Sequence, residues 1–317
     1  MLAILLLPLL ALLSLNSGGA NLSIIQLWEG LSDTKASGYI VFWEFRLPRT
    51  LCAITAGSSL AVAGMQLQAW FRNPLAGPFV LGISSGASLG VALFLMFLPS
   101  SLMAMGGSIP AALMGSAVTL FLLIHLNRKI ANRIHLLIAG IMISYLCSAL
   151  ITLFSYFSDA ETLKKYVLWG LGSLGGVTFS QIPLYTIPIA IVIALSLFWA
   201  SDLDHLLLGE EYAISTGLHL KYASWKLLLC ASFLAAFTTA FCGPIGFIGL
   251  AVPHLVRLLA GNTNHSKLLP LAALWGANLC LLADILCQLP EGSLPLNAIT
   301  SIVGAPFVIY FLWRKVR

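Results

Sequence analysis

Side chains that enzymes use for catalysis are few in this sequence, and none stands at a catalytic spacing. The 317 residues include 11 acids, 16 lysines and arginines and 6 histidines. Paired acids, a Ser, His and Asp arrangement, and the zinc-binding string H-E-x-x-H are all absent from the sequence. The phosphate-binding string G-x-x-x-x-G-K-S/T is absent as well. We therefore predict that the chain is not an enzyme and has no nucleotide site of its own.

The histidines and cysteines do not suggest a metal site. All six histidines fall at predicted cytoplasmic helix ends, where we expect solvation at the interface and not metal ligation: His125, His135, His205, His219, His254 and His265. The cysteines lie in or at the ends of apolar runs, without a C-x-x-C pair: Cys52, Cys147, Cys230, Cys242, Cys280 and Cys287. This pattern argues against a disulfide framework and against a zinc site.

Asp284 is the main ionisable residue within an apolar run, in the string LLADILCQLP. Such a residue is costly to bury in a membrane, so it indicates a function or a specific partner. It could relay protons, or it could be a structural carboxylate bonded to neighbouring helix ends. A single acid does not make a relay, so the structural alternative is favoured.

The composition identifies the class of protein. The chain is 59% hydrophobic and only 9% charged, whereas soluble domains carry about 25% charged residues. Its mean hydropathy is +0.97. These values exclude a soluble enzyme, a disordered chain and a nucleic-acid binder. We predict an all-α, polytopic membrane protein of about ten helices, since a span needs about 20 apolar residues.

Ten apolar runs carry this prediction. They cover residues 1–20, 47–70, 78–98, 103–127, 134–157, 181–200, 224–242, 245–261, 268–289 and 295–313. The first resembles a signal peptide in length but lacks the basic start that such a peptide needs, so we interpret it as a helix. With the N-terminus inside, 11 of the 16 lysines and arginines fall inside and 5 outside. Because basic residues accumulate in cytoplasmic loops, both termini are predicted to be cytoplasmic.

Two connections are too long and patterned to be simple turns. Residues 158–176 place two acids ahead of two lysines, which suits a short amphipathic helix on the outer membrane surface. Residues 201–222 form the largest polar segment on the cytoplasmic side and are broken by Gly209 and Gly217. They are too few for a catalytic domain, so we predict a docking surface for a cytoplasmic partner.

Gly, Pro and Ser interrupt two apolar runs, at residues 78–90 and 243–261. Irregular backbone at membrane depth is tolerated where it is buried in protein or lines a cavity. The two segments are therefore candidate pathway walls, and their positions in the two halves hint at an internal repeat. The same small residues could instead allow close helix packing.

Several strings resemble the FecCD family, the permease subunits of iron-siderophore and vitamin B12 ABC importers. In chain order they are RLPRTL, NPLAGPFVLGISSGASLG, LLIAG, LWGLGSLGG, LGEEYA, GPIGFIGLAVPHLVRLLAG and LPLNAITSIVGAPFVIYFL. They run from about residue 40 to the C-terminus. The resemblance implies a BtuC-like permease fold of ten transmembrane helices in one domain spanning residues 1–317.

The resemblance also implies partners. We expect a homodimer with the pathway along its two-fold axis, a dimer of cytoplasmic ABC ATPases, an extracytoplasmic substrate-binding protein, and lipid around the helices. ATP and magnesium would bind the ATPase, and this chain would bind no cofactor, metal or nucleic acid. The location would be a bacterial cytoplasmic membrane.

Site residues follow from the matching strings. The coupling segment of the family resembles Leu208, Gly209, Glu210, Glu211, Ala213 and Gly217, although Thr216 stands where the family usually has leucine. Arg46 and Arg49 are similar to the outer arginines that pair with acids of the binding protein. At the position of a third such arginine this chain has Gln288. Helix-end anchoring to lipid headgroups is the alternative for the two arginines.

The gate residues are assigned from the same family resemblance, and the pathway residues are assigned from the small size of their side chains. The cytoplasmic gate resembles Asn73 and Leu75, with a looser match at Arg133 and Ile134; an ordinary Asn-Pro turn is the alternative. Small residues of the second helix, with no ring of charges beside them, are expected to line a wide pathway for a bulky cargo. These are Gly57, Ser58, Ser59 and Gly64.

Together these features predict the permease subunit of an ATP-driven importer of a metal chelate, with a ferric siderophore as the first choice. Vitamin B12, heme or molybdate import is the alternative within the family. A secondary transporter or a membrane-embedded enzyme is the rival of another class. That rival would need paired carboxylates or a His/Asp/Glu cluster in the membrane.

Overall fold

The computed structural model describes residues 2–18, 26, 30–31, 37–97, 107–129, 133–261, 264–289 and 294–316. Within these ranges the regular structure is helical. In chain order the α-helices of six or more residues are α1 (Leu2–Asn16), α2 (Leu47–Phe71), α3 (Ile83–Phe97), α4 (Ser108–Lys129), α5 (Arg133–Tyr156), α6 (Ala160–Gly170), α7 (Ile182–Phe198), α8 (Ala200–Leu208), α9 (Glu210–Ser215), α10 (Leu220–Cys242), α11 (Ile248–Ala260), α12 (His265–Gln288) and α13 (Leu296–Val316). The all-α prediction is confirmed.

The ten predicted apolar runs coincide with ten of these helices. Among the described residues, six helical segments are long and apolar enough to cross a membrane: those containing α2, α4, α5, α7, α10 and α12. Four shorter apolar helices, α1, α3, α11 and part of α13, occupy the remaining runs. Lys35 and Arg317, which entered the charge count, lie outside the described residues.

Helix α2 lies at the centre of the bundle. It continues directly from a π-helical turn, Val41–Arg46, and Pro48 occupies its first turn, where a missing N–H costs nothing. Most of its side chains are buried, by extensive packing on α12, α10 and α11 and by a smaller contact with α7. Helices α3, α4 and α5 form a second group that packs on itself and on α10.

Irregular backbone replaces helix at both interrupted runs. A 3₁₀ turn, Pro78–Leu81, and Gly82 with φ +76° precede α3. Residues 243–247 are not helical, and Gly243 ends α10 with φ +72°. Because positive φ favours glycine, these residues end one helix and redirect the chain into the next. The interruption predicted at both places is confirmed.

Candidate coupling surface and gate at the two ends of the bundle

One end of the bundle, here called the Arg72 end, gathers the polar segment 201–222 and the termini of the core helices. Arg72 caps α2 in the left-handed conformation, with φ +48°. Its guanidinium donates from Nε (3.0 Å) and Nη2 (2.8 Å) to the carbonyl oxygen of Leu206 in α8. Carbonyls in the last turn of a helix lack intrahelical partners, so Arg72 fastens α8 to α2.

Two further pairs hold α8 in place. The Asp204 carboxylate accepts hydrogen bonds from the backbone N–H of His265 at 2.9 Å and lies 2.6 Å from His265 Nδ1. Lys226 lies 3.8 Å from the Asp202 carboxylate and over the ring of Trp199. The segment is therefore fixed to α12 and α10 as well as to α2.

The segment predicted to couple to an ATPase, residues 208–217, divides between an exposed and a buried face. Leu208, Tyr212 and Ile214 expose 67%, 48% and 58% of their surface, and Glu210 and Glu211 are exposed beside them. Ala213 is fully buried. We call the five exposed residues the coupling surface. An apolar patch with an acidic edge is typical of a protein contact.

Two glycines and a threonine shape this surface. Gly209 (φ +132°) separates α8 from α9, and Gly217 (φ +86°) follows α9. The Thr216 hydroxyl donates to the Ala213 carbonyl at 2.8 Å. Thr216 therefore closes the end of α9.

The predicted gate lies next to this surface. Asn73 Oδ1 accepts the N–H of Leu75 at 2.9 Å, which makes the turn expected of an Asn-Pro pair. Leu75 and Ile134 are exposed, at 42% and 62%. His254 Nε2 lies 2.8 Å from the Pro74 carbonyl and fixes the turn to α11. Arg133 contacts the Trp70 carbonyl in the last turn of α2, just before the turn, and Glu210 of the coupling surface.

The opposite end, here called the Arg49 end, carries the residues predicted to meet a binding protein. Arg49 forms an ion pair with Asp284, with Nη2 to Oδ1 at 2.8 Å and Nε to Oδ1 at 2.8 Å. Gln288 Nε2 donates to Asp284 Oδ2 at 2.7 Å. The carboxylate is a structural group with two partners, which supports that alternative over the proton relay.

Arg46 differs from Arg49 in exposure. Its surface is 6% exposed, and Nη1 donates to the carbonyl of Leu15 at the end of α1 at 2.7 Å. Arg49, at 23% side-chain exposure, borders a cavity of about 260 Å³ beside Gly172 and Leu294. Of the two, Arg49 is the better placed to meet another protein.

The amphipathic helix predicted within residues 158–176 is present as α6. Asp159 caps it by accepting the Thr162 N–H at 2.9 Å, and this hydrogen bond lowers the pKa of Asp159. Glu161 pairs with Lys165 at 2.8 Å and raises the pKa of that lysine. The Asn297 N–H donates to the Leu171 carbonyl and ties the end of α6 to the start of α13.

The comparisons with known proteins identify the family. The FecCD transport family matches residues 5–314. The chain belongs to the FecCD transport family. It is 39% identical over 319 residues to the hemin transport system permease HmuU of Yersinia pestis, covering 99% of this chain and 94% of that protein. It is also 39% identical over 299 residues to the vitamin B12 import permease BtuC of Vibrio cholerae, covering 93% and 87%.

A solved structure gives the same fold. A metal-chelate type ABC transporter in an inward-facing conformation superposes with a TM-score of 0.88 at 31% identity, covering 98% of this chain and 97% of that one. The BtuC-like permease fold is therefore shown, and this FecCD chain is a multi-pass membrane protein.

The predicted pathway residues of this FecCD chain lie at helix contacts inside the chain. A Cβ added at Gly57 or at Gly64 would overlap the carbonyl oxygen of Gly276 or of Gly249. Ser58 donates to the Ala273 carbonyl and Ser59 to the Leu234 carbonyl, both at 2.9 Å. Because these positions pack helices tightly, the pathway prediction is corrected: they take the close-packing alternative.

Two histidines also differ from the prediction. His254 and His265 are buried and engaged with Pro74 and Asp204, so interfacial solvation does not describe them. No group of three His, Cys, Asp or Glu residues suited to a metal occurs in the part of the chain that the structure describes. All six cysteines are buried and free.

Arg72, Arg257 and Asp204 were missed as functional candidates from sequence. Arg257 Nη1 donates to Gln68 Oε1 at 2.7 Å, and the other two hold α8. Their positions were the available signal, since Arg72 and Arg257 stand near predicted cytoplasmic helix ends and Asp204 lies in the polar segment 201–222.

Proposed function

We propose that this chain is the permease subunit of an ATP-driven importer of a metal chelate in a bacterial cytoplasmic membrane. The observation that carries the proposal is the coupling surface, an exposed apolar patch with acidic neighbours that is fastened by Arg72, Asp204 and Arg133 to the core helices. A load applied to α9 therefore reaches α5 and α2 through Arg133, and it reaches α12 through α8.

Each end then has a partner. The Arg72 end is cytoplasmic and meets a dimer of ABC ATPases, which hold ATP and magnesium, and the Arg49 end meets an extracytoplasmic binding protein. A second copy of the chain completes the pathway along the two-fold axis. Both termini are cytoplasmic, and the chain acts as one domain over residues 1–317.

For the cargo we retain a ferric siderophore as the first proposal. Heme and vitamin B12 are the second candidates, because the printed functions of the two relatives at 39% identity are hemin and vitamin B12 transport. A secondary transporter is less well supported, since Asp284 is bound to Arg49 and Gln288 and so is poorly placed to relay protons.

Uptake in membrane vesicles that contain the chain, its ATPase and its binding protein tests the proposal. Ferric hydroxamate and catecholate siderophores, hemin and cyanocobalamin are offered separately. We expect uptake of one of these chelate classes, lost when the ATPase carries a Walker-B substitution that abolishes hydrolysis. Uptake that continues with the inactive ATPase would overturn the ATP-driven mechanism.

Docking is tested by changing the apolar part of the coupling surface. Ile214→Glu places a charge on an exposed residue and should abolish ATPase copurification without lowering the amount of permease in the membrane. Leu208→Met, which keeps the surface apolar, is the matched control and should leave copurification unchanged. Equal recovery of the ATPase with both variants would remove α9 from the docking site.

A further inference from the structure

Arg133, the first residue of α5, contacts both the coupling surface and the end of the helix that leads to the gate. Its Nη2 lies 2.8 Å from Glu210 Oε1 at the start of α9. Its Nη1 donates to the carbonyl oxygen of Trp70, in the last turn of α2, at 2.6 Å. One guanidinium therefore connects two elements that are 140 residues apart in the chain.

The planar guanidinium suits this double contact. It presents several N–H donors in a rigid fork, so two acceptors can be held at a fixed separation. The Arg133 side chain is 14% exposed, whereas that of Glu210 is 49% exposed. The mostly buried end of the link is thus on the bundle, and its exposed end is at the surface where another protein can reach it.

The Trp70 carbonyl is joined closely to the gate. The Trp70 ring is buried, and its Nε1 donates to Ser224 Oγ at 3.1 Å. Three residues after Trp70 the Asn73–Leu75 turn begins. A shift of α9 that pulls on Arg133 is therefore applied to the last turn of α2, directly before the gate.

A second link runs in parallel but bypasses α9. Arg72 joins the end of α2 to the Leu206 carbonyl of α8. The Lys226–Asp202 pair, by contrast, joins α8 to α10. Arg133 therefore links α9 to the last turn of α2, which directly precedes the gate turn.

We infer that Arg133 is a positioning residue that transmits motion of the coupling surface to the Asn73–Leu75 gate, through Glu210 on one side and the Trp70 carbonyl on the other. The inference rests on the proposed function, since it needs an ATPase at the coupling surface. Glu210 would then have two tasks, contact with the ATPase and retention of Arg133.

Labelling of a gate cysteine in the assembled transporter tests this link. The Leu75→Cys chain, with its ATPase in membrane vesicles, is the parent, and the labelling rate by a maleimide is measured with and without ATP and vanadate. The two rates of the parent should differ by about fivefold or more, the lower range of coupling between two sites. With Arg133→Gln added, they should become equal.

The control is Lys226→Gln in the same parent, which also removes a positive charge from a pair with segment 201–222. It should keep the ATP dependence. Glu210→Gln changes a half-exposed residue that is not part of the core, so it tests the link even if Arg133→Gln lowers expression. It should reduce the ATP dependence when it is compared with the parent at an equal amount of copurified ATPase.

The outcomes separate the two proposals. ATP-dependent labelling that persists with both Arg133→Gln and Glu210→Gln would overturn the role of Arg133 and leave the importer function standing. An ATP effect that is absent already from the parent, with the ATPase copurified, would count against the proposed function itself, and the role of Arg133 would fall with it.

Discussion

At the Arg49 end a single carboxylate organises the side chains around it. Asp284 is 1% exposed and holds Arg49 and Gln288. A buried ion pair adds little net stability, but removing one partner leaves the other charge desolvated and unpaired. Arg49 is partly exposed and so can be resolvated, whereas Asp284 cannot. The two single substitutions are therefore not equivalent.

We expect Arg49→Gln to lower the free energy of unfolding by about 3 kcal/mol, the lower range for a broken buried pair. Asp284→Asn should cost less, because water reaches Arg49. The double variant Arg49→Gln with Asp284→Asn should be more stable than the sum of the single changes indicates. Thermal unfolding of the purified permease in detergent measures all three.

Lys165→Gln is the control for these variants, since it breaks the exposed Glu161–Lys165 pair on α6. Such a surface pair contributes little, so its midpoint should match that of the wild type. If Arg49→Gln also unfolds at the wild-type midpoint, Asp284 does not depend on Arg49.

At the scale of the elements, close contact between α2 and its neighbours replaces the pathway that its small residues were expected to line. Gly57 meets Gly276 of α12, and Gly64 meets Gly249 of α11. Without a hydrophobic driving force between helices in lipid, small residues that let backbones approach are a main source of attraction. A larger side chain at either glycine would therefore push α2 away from α12 or from α11.

We therefore expect even Gly64→Ala to destabilise the fold by about 1–3 kcal/mol, as overpacking of a core does. Gly77→Ala, at a glycine whose added Cβ would meet its nearest neighbour at an ordinary 4.0 Å, is the matched control and should unfold like the wild type. Thermal unfolding and membrane levels are the measurements. A stable, normally inserted Gly64→Ala chain would restore this position to the pathway.

At the scale of the whole molecule, the two ends differ in chemistry. The Arg72 end gathers arginines around α8 and α9, and the Arg49 end presents α6 and exposed aromatic residues such as Tyr156 and Phe157. Because basic residues are retained on the cytoplasmic side, this asymmetry predicts the orientation of the chain.

Single added cysteines test that orientation. All six native thiols are buried, so their background labelling should be low. In intact spheroplasts a membrane-impermeant maleimide should label Phe157→Cys, whereas it should label Leu75→Cys only after permeabilisation. The reverse order of labelling would invert the topology and place the coupling surface outside.

The amino-acid pattern was enough to predict the class of the protein, its ten apolar helices, the helix α6, the polar segment 201–222 and the two backbone interruptions. Hydropathy, caps and glycine positions act locally, so they can be read along the chain. The turn at Asn73 and the exposed Leu208 lie in the segments named from the family resemblance, and their roles in gating and coupling stay predictions.

The faces along which these helices meet could not be predicted from that pattern, and they follow from the packing of the bundle. A glycine at position 64 suits a pathway wall as well as a close contact with Gly249. The rotation of α2 in the bundle decides between the two, and it brings Gly64 against Gly249. The partners of Asp284, Arg72 and Arg133 lie 235, 134 and 77 residues away from them in the chain. Contacts over such separations depend on how the helices pack, which periodicity within one helix does not specify.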